Sequence, residues 1–395
     1  MNRPYRPDLA FALLAALVVL APLATGCADD TTTSLSADFN ATSHLDNYGR
    51  NVILKTYTNL STAAVALRDA ANTLASNIGG GGDSANLAAA QQAWRDARVW
   101  WENSEAFLFG PVDTNGIDPN IDTWRVEEGT ALNEAGTING IIAATTSGSI
   151  NLTFIQAQNE NVKGFHAIEF ILFADKDGST SEADILQDLD SDTDAASRRA
   201  YLVACCEALV TRAQQLADAW DPTDGNFLAQ LIGPSFPTST YTSQKQALLE
   251  ALDGMLGIVQ EVGAQKIAAP YNANGGNGEV TDVESRFSRN SISDFASNIR
   301  GVLAAWTGDH DGHTSAGGID AIIFSFDATL SDRVTDEINA AITAIEAIPA
   351  TFYDRIAARP TVSSEIEAAI AALATLETSL DVDVRAVLNN HTFGK

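Results

Sequence analysis

Apolar residues in this chain recur at three- and four-residue intervals over one stretch after another, and the strict alternation of a half-buried strand is nearly absent. Such a chain can hide its apolar surface only by packing helix against helix. The stretch after Asp83 or Ser84, either of which can cap it, puts Leu87, Trp94, Arg98, Trp101, Glu105 and Leu108 on one broad face, and Gly110-Pro111 stops it. The same spacing predicts helices over about 45–77, 162–173, 194–220, 241–267, 291–306, 327–348 and 362–390. The run Gly79 to Gly82, an irregular segment 112–151, and the loops Asn272 to Gly278 and Gly308 to Gly318 interrupt them. Residues 221–240, with Gly225, Gly233, Pro234 and Pro237, mark the best boundary. The expected fold is therefore all-α, with two bundles of about four helices each, residues 45–220 and 241–395.

The N-terminus has a different character. Arg3 and Arg6 precede an apolar run, Leu9 to Leu23, of secretory-signal length and too short to span a bilayer. It ends in Leu23-Ala24-Thr25-Gly26-Cys27, small residues before a cysteine, as a lipoprotein signal peptidase requires. Residues 1–26 thus read as a cleaved leader, Cys27 as the lipidated residue, and 27–44 as a flexible tether. Ala28 after the cysteine is not a retention aspartate, which favours an outer membrane, facing periplasm or cell surface. The chain carries 23 Lys+Arg against 51 Asp+Glu, a formal charge of −28. Losing Arg3, Arg6 and Asp8 with the leader gives 21 − 50 = −29. That balance argues against nucleic acid or anionic lipid as a partner, and it attracts cations.

Chemistry concentrates in a few places. In Gly164-Phe165-His166-Ala167-Ile168-Glu169-Phe170, His166 and Glu169 are three apart on one helix face and can converge on a single ion. An imidazole with a carboxylate suits Fe, Zn, Mn or Cu better than Ca or Mg. In Trp94 to Pro111, Arg98 and Glu105 share a face with Trp101, and a carboxylate among aromatics is either ion-paired or a further ligand. Glu102 reads as solvent-facing or paired with Arg98. Cys205 and Cys206 read as small buried residues, since helical neighbours point about 100° apart. The loop Asp309-His310-Asp311-Gly312-His313 reads as exposed.

The segment Trp94 to Pro111, the run GFHAIEF at 164–170, Glu284-Ser285-Arg286-Phe287-Ser288 with Asp294 and Asn298, and Arg198 to Leu202 resemble the recurring motifs of the imelysin family. The resemblance covers nearly all of residues 45–395. It implies two helical bundles with a cleft between them, on exported and often lipid-anchored proteins. It also implies a G-x-H-x-x-E metal site at Gly164, His166 and Glu169, with Glu105 as a further ligand. Arg98, Glu284 and Ser288 would line the same cleft. Arg125 departs from the pattern, standing after Trp124 where proline is expected.

Such proteins were once classed with metallopeptidases, and the residues speak to that. A zinc protease with H-E-x-x-H needs a glutamate beside its first histidine, and Ala167 is there; the inverted H-x-x-E-H needs a histidine where Phe170 stands. Neither a nucleophile elbow, a phosphate loop nor a dinucleotide fingerprint is present. The expected function is binding of iron, with zinc as the other metal, or of an iron-bearing ligand. The partners would be the membrane through the lipid and components of an iron-uptake transporter. A metallopeptidase or a peptide-binding accessory protein is the alternative, and a purely structural lipoprotein a third.

Overall fold

The structure, a computed structural model, describes residues 38–129, 134–233, 239–310, 317–349, 351–359 and 362–394. The expected leader, Cys27, the first part of the expected tether, Asp311 and His313 lie outside the described residues. Among the described residues there is no sheet, and one isolated bridge joins Phe39 to Phe393.

Nine helices frame the site: α1 (Lys55–Asn77), α2 (Asp83–Ser104), α3 (Asp118–Asp122), α4 (Gly164–Phe173), α5 (Ala195–Trp220), α6 (Gln244–Gln260), α7 (Ser291–Thr307), α8 (Ala328–Glu346) and α9 (Ser364–Thr378). Their ends follow local chemistry. Ser243 and Asp327 cap α6 and α8 by accepting from the backbone N–H of Gln246 and Leu330. Gly308, in the left-handed conformation, closes α7. α1 packs on α2 and α5, and α4 on α2 and α5; α7 packs on α6 and α8, and α8 on α9. α2 also lies directly against α7. Trp94, Trp101, Trp220 and Trp306 are fully buried in one continuous core, and Asp38–Lys395 forms one compact unit.

Three details differ from the periodicity reading. Three long helices carry π-helical segments, Tyr48–Leu54, Glu261–Ala268 and Ser379–Val384, where the turn takes one residue more than the 3.6 period. α2 tightens into a 3₁₀ turn, Glu105–Phe107, before Gly110-Pro111. Within 221–240 lies a short helix, Phe227–Ile232, whose Leu228 and Leu231 are buried. Cys205 and Cys206 are free and buried, as their spacing predicts, and burial pushes both thiols up.

Candidate metal centre

The motif glycine comes first, because it fixes the rest. Gly164 opens α4 with φ +78°, a conformation that side chains rarely adopt. A Cβ there would lie 2.3 Å from the carbonyl oxygen of Ile121. The start of α4 thus seats against α3 with nothing between them, and α3 carries Asp122 as its last residue.

His166, one turn into α4, is 2% exposed. Its Nδ1 is 2.9 Å from Glu169 Oε2, and its Nε2 is 3.3 Å from Asp122 Oδ1 and 3.8 Å from Glu284 Oε1. Glu169 is held from the other side: its Oε1 accepts from the backbone N–H of Phe287 (3.1 Å), the N–H of Ser288 (2.9 Å) and the Ser288 hydroxyl (2.8 Å). That chain segment is bent by two non-glycine residues in the left-handed region, Ser285 (φ 51°) and Arg289 (φ 60°), and the bend aims its donors at Glu169.

Arg98 on α2 is fully buried and gathers carboxylates from three directions. Its guanidinium donates to Asp122 and to Glu284 Oε1 (2.8 Å), forms an ion pair with Glu102 Oε1 at 2.5 Å, and its Nε lies 3.8 Å from Asp294 on α7. The Trp101 indole donates to the second oxygen of Asp122 at 2.6 Å. Lys266, on the π segment after α6, makes a second centre. Its Nζ is 2.7 Å from Glu105, 3.3 Å from Glu284, 3.5 Å from Glu102 and 3.3 Å from the Asn298 amide oxygen.

The charges resolve as a set. Burial and Arg98 oppose a charge on His166, but its contacts with Asp122, Glu169 and Glu284 outweigh them and raise its pKa well above the ordinary value. Burial resists ionisation of Glu284, yet Lys266, His166 and Arg98 bring it down to about 2. Asp122 is lowered against burial by Arg98 and His166, and Glu169 by His166 and Ser288. For Glu102, burial wins and lifts it to about 8; Glu105 is raised by burial and by Glu102; Asp294 is pushed by burial to about 6. Near pH 5 the network therefore holds three cations, Arg98, His166 and Lys266, against three carboxylates, Asp122, Glu169 and Glu284, while the other three carboxyls keep their protons.

Of the expected site residues, the structure brings together His166, Glu169, Arg98, Glu284 and Ser288. Glu105 lies at the other end, bound to Lys266 and Asn298 rather than to Arg98. Glu102 takes the Arg98 pairing. Asp294, noted in the sequence only as part of the family motif, completes the network together with Asp122 and Lys266, which were not singled out. Lysine is scarce in this acidic chain, so a lone one in the apolar stretch 255–271 was the available signal; Asp122 sits in an aperiodic segment and offered none. Over His166 and Glu169, beneath Trp124 and Phe287, there is a cavity of about 10 Å³, room for one water. The Trp124–Arg125 peptide is cis.

The donor chemistry fits a metal in part. Asp122, His166 and Glu284 offer ligand atoms within 4.8 Å of one another, an imidazole with two carboxylates, and Glu102, Glu105 and Asp122 form a second such group. Glu169 on Nδ1 is the orienting partner that a ligating histidine needs. The Arg98 guanidinium, 3.4 Å from His166 Nε2, is the element an ion would have to displace.

An all-helical chain with a buried carboxylate–histidine–arginine network defines the class, and sequence comparison places it. The sequence model of the imelysin family matches residues 53–380, and the chain belongs to that family. It is 28% identical to iron-regulated protein A of Synechococcus elongatus over 298 residues, 75% of this chain and 73% of that protein. A crystal structure described as a candidate iron-regulated protein A precursor from Parabacteroides distasonis superposes with a TM-score of 0.71 at 26% identity, covering 89% of this chain and 96% of that one. An imelysin-like protein from Psychrobacter arcticum superposes at 0.67 and 16% identity over 88% and 95%, a likeness of fold alone.

Proposed function

We propose that this chain is an exported protein, lipid-anchored at Cys27, that takes up iron at the His166 centre and passes it to components of an iron-uptake transporter. The observation that carries the reading is the convergence of Asp122, His166 and Glu284 on one point, with Glu169 fixing the imidazole. Two relatives named for iron regulation support it. An ion binding there takes the place of the His166 proton and moves Arg98 aside, so binding releases a proton. The cavity of about 10 Å³ beside the imidazole suits an ion better than a peptide.

Calorimetric titration with Fe²⁺ under anaerobic conditions, and with Zn²⁺, tests the reading. His166→Ala is expected to lower affinity at least tenfold, about 1.4 kcal/mol or more. Equal affinity in wild type and variant removes the metal centre at His166.

A further inference from the structure

The two ends of the buried network differ in access. At the His166 end the space is about 10 Å³. At the Glu105 end a cavity of about 370 Å³ opens, lined by Glu105, Glu250, Asp253 and Glu261 together with Phe109 and Ile258. Glu105 keeps its proton, so Glu250, Asp253 and Glu261 are the wall groups that draw cations, and Arg385, at 2.7 Å, offsets one of them, Asp253.

Lys266 stands between this cavity and the histidine. Its Nζ is 2.7 Å from Glu105, which lines the cavity, and 3.3 Å from Glu284 Oε2, whose other oxygen is 3.8 Å from His166 Nε2. Glu102 at 3.5 Å, the Asn298 oxygen at 3.3 Å and Glu261 at 4.0 Å complete its surroundings. These are the oxygens that a divalent cation would use, and Glu102, Glu105 and Asp122 already lie close enough to share one. A tethered ammonium occupies that position. It is carried by the π segment Glu261–Ala268, an irregular turn of the kind found at functional positions.

Resting on the reading of the His166 centre as a cation site, we propose that Lys266 is a built-in competing cation that gates it. A divalent ion enters through the cavity at Glu250, Asp253 and Glu261, displaces the Lys266 ammonium from Glu105, Glu102 and Glu284, and then reaches His166. The displaced ammonium swings toward Glu261, whose side chain is 44% exposed in the cavity. A monovalent ion brings no more charge than the ammonium already present and gains nothing by replacing it. The gate therefore selects for doubly charged ions.

Cobalt(II), whose visible absorption reports its ligands, is the probe. Its affinity and association rate are measured near neutral pH and low ionic strength for wild type, Lys266→Met and the double variant Glu250→Gln/Asp253→Asn. Lys266→Met is expected to bind Co²⁺ at least tenfold tighter and to associate at least tenfold faster. The double variant is expected to associate at least threefold more slowly with an unchanged cobalt spectrum. Unchanged or weaker binding by folded Lys266→Met, or an unchanged rate in the double variant, overturns the gate. If circular dichroism shows Lys266→Met unfolded, the rate of the double variant decides alone. Wild-type binding that His166→Ala leaves intact instead overturns the centre itself, a result separable from failure of the gate.

Discussion

At the residue scale, the motif G-x-H-x-x-E turns out to be three solutions to one packing problem. Gly164 is glycine because α4 must start at φ +78° with its Cα against the Ile121 carbonyl. That seat brings Asp122 within 3.3 Å of His166. Glu169 then locks the ring from one turn below. Gly164→Ala combines backbone strain with a backbone clash, and should cost about 2 kcal/mol or more. Thermal unfolding of the variant measures it, and a loss under about 0.5 kcal/mol contradicts the seat. That His166 and Glu169 share a helix face was legible in the sequence, because both lie within one helical turn; the sequence reading makes both of them ligands, whereas the structure turns Glu169 onto the ring Nδ1. The pairing of Glu105 with Lys266 was not, since 161 residues separate the partners and no local period links them. Arg98 had its partner one turn on in Glu102, a spacing the sequence displays, but its contacts with Asp122 and Glu284 depend on how α3 and the 284–288 bend fold back onto α2.

Among elements, the long helices were readable to within a few residues, since each carries its own apolar stripe and its own stop signals. The short helices Glu182–Asp190, Ile319–Phe326 and Phe352–Ala357 were not, because fewer than three turns give little period to detect. The three π segments were invisible for a related reason: one added residue shifts the stripe without breaking it. Where α2 meets α7, Gly301 sets the distance. A Cβ there would fall 2.2 Å from the Asn103 carbonyl oxygen, so the helices touch backbone to backbone. Asn298, one turn earlier on α7, can then reach Glu102 and Glu105 at 2.6 and 2.7 Å. Gly301→Ala should destabilise the protein by about 1–3 kcal/mol, despite alanine's better helix propensity. It should also weaken binding at the centre by pushing Asn298 back. Denaturant unfolding tests the first effect and titration with Zn²⁺ the second; a stabilised variant would mean that the helices have room to spare.

On the scale of the whole molecule, two features call for tests: the proposed attachment at one end and the buried charge network in the body. No helix among the described residues is long and apolar enough to cross a membrane; the proposed attachment is the lipid at Cys27. Cys27→Ser should move the protein from the membrane fraction to the soluble exported fraction, and persistence in salt-washed membranes would count against the lipid. The network, for its part, sets how stability changes with pH. Glu284, brought down to about 2, and the lowered Asp122 and Glu169 contribute stability above the ordinary carboxyl range, and lose it as pH falls through their folded values. Glu102, raised to about 8, and Asp294, raised to about 6, act in the opposite sense. Folded, they keep protons that the unfolded chain has released above about pH 4.5, so their contribution shrinks as pH rises from there through 8. His166, raised in the fold, gives its full contribution below about 6.5 and loses it at higher pH. The surplus of acidic side chains, −28 overall, adds repulsion in the same direction as pH rises. The metal-free protein should therefore be most stable near pH 5, with Tm falling both below pH 4 and toward pH 8. Each net proton held by the fold alone is worth about 1.4 kcal/mol per pH unit. Scanning calorimetry of chelator-treated protein from pH 3.5 to 8.5 measures the curve, and Glu102→Gln, which no longer titrates, should flatten its alkaline limb. A Tm that climbs steadily from pH 5 to pH 8 would mean that Glu102 and Asp294 are ionised in the fold, and the balance of three cations against three carboxylates would have to be redrawn.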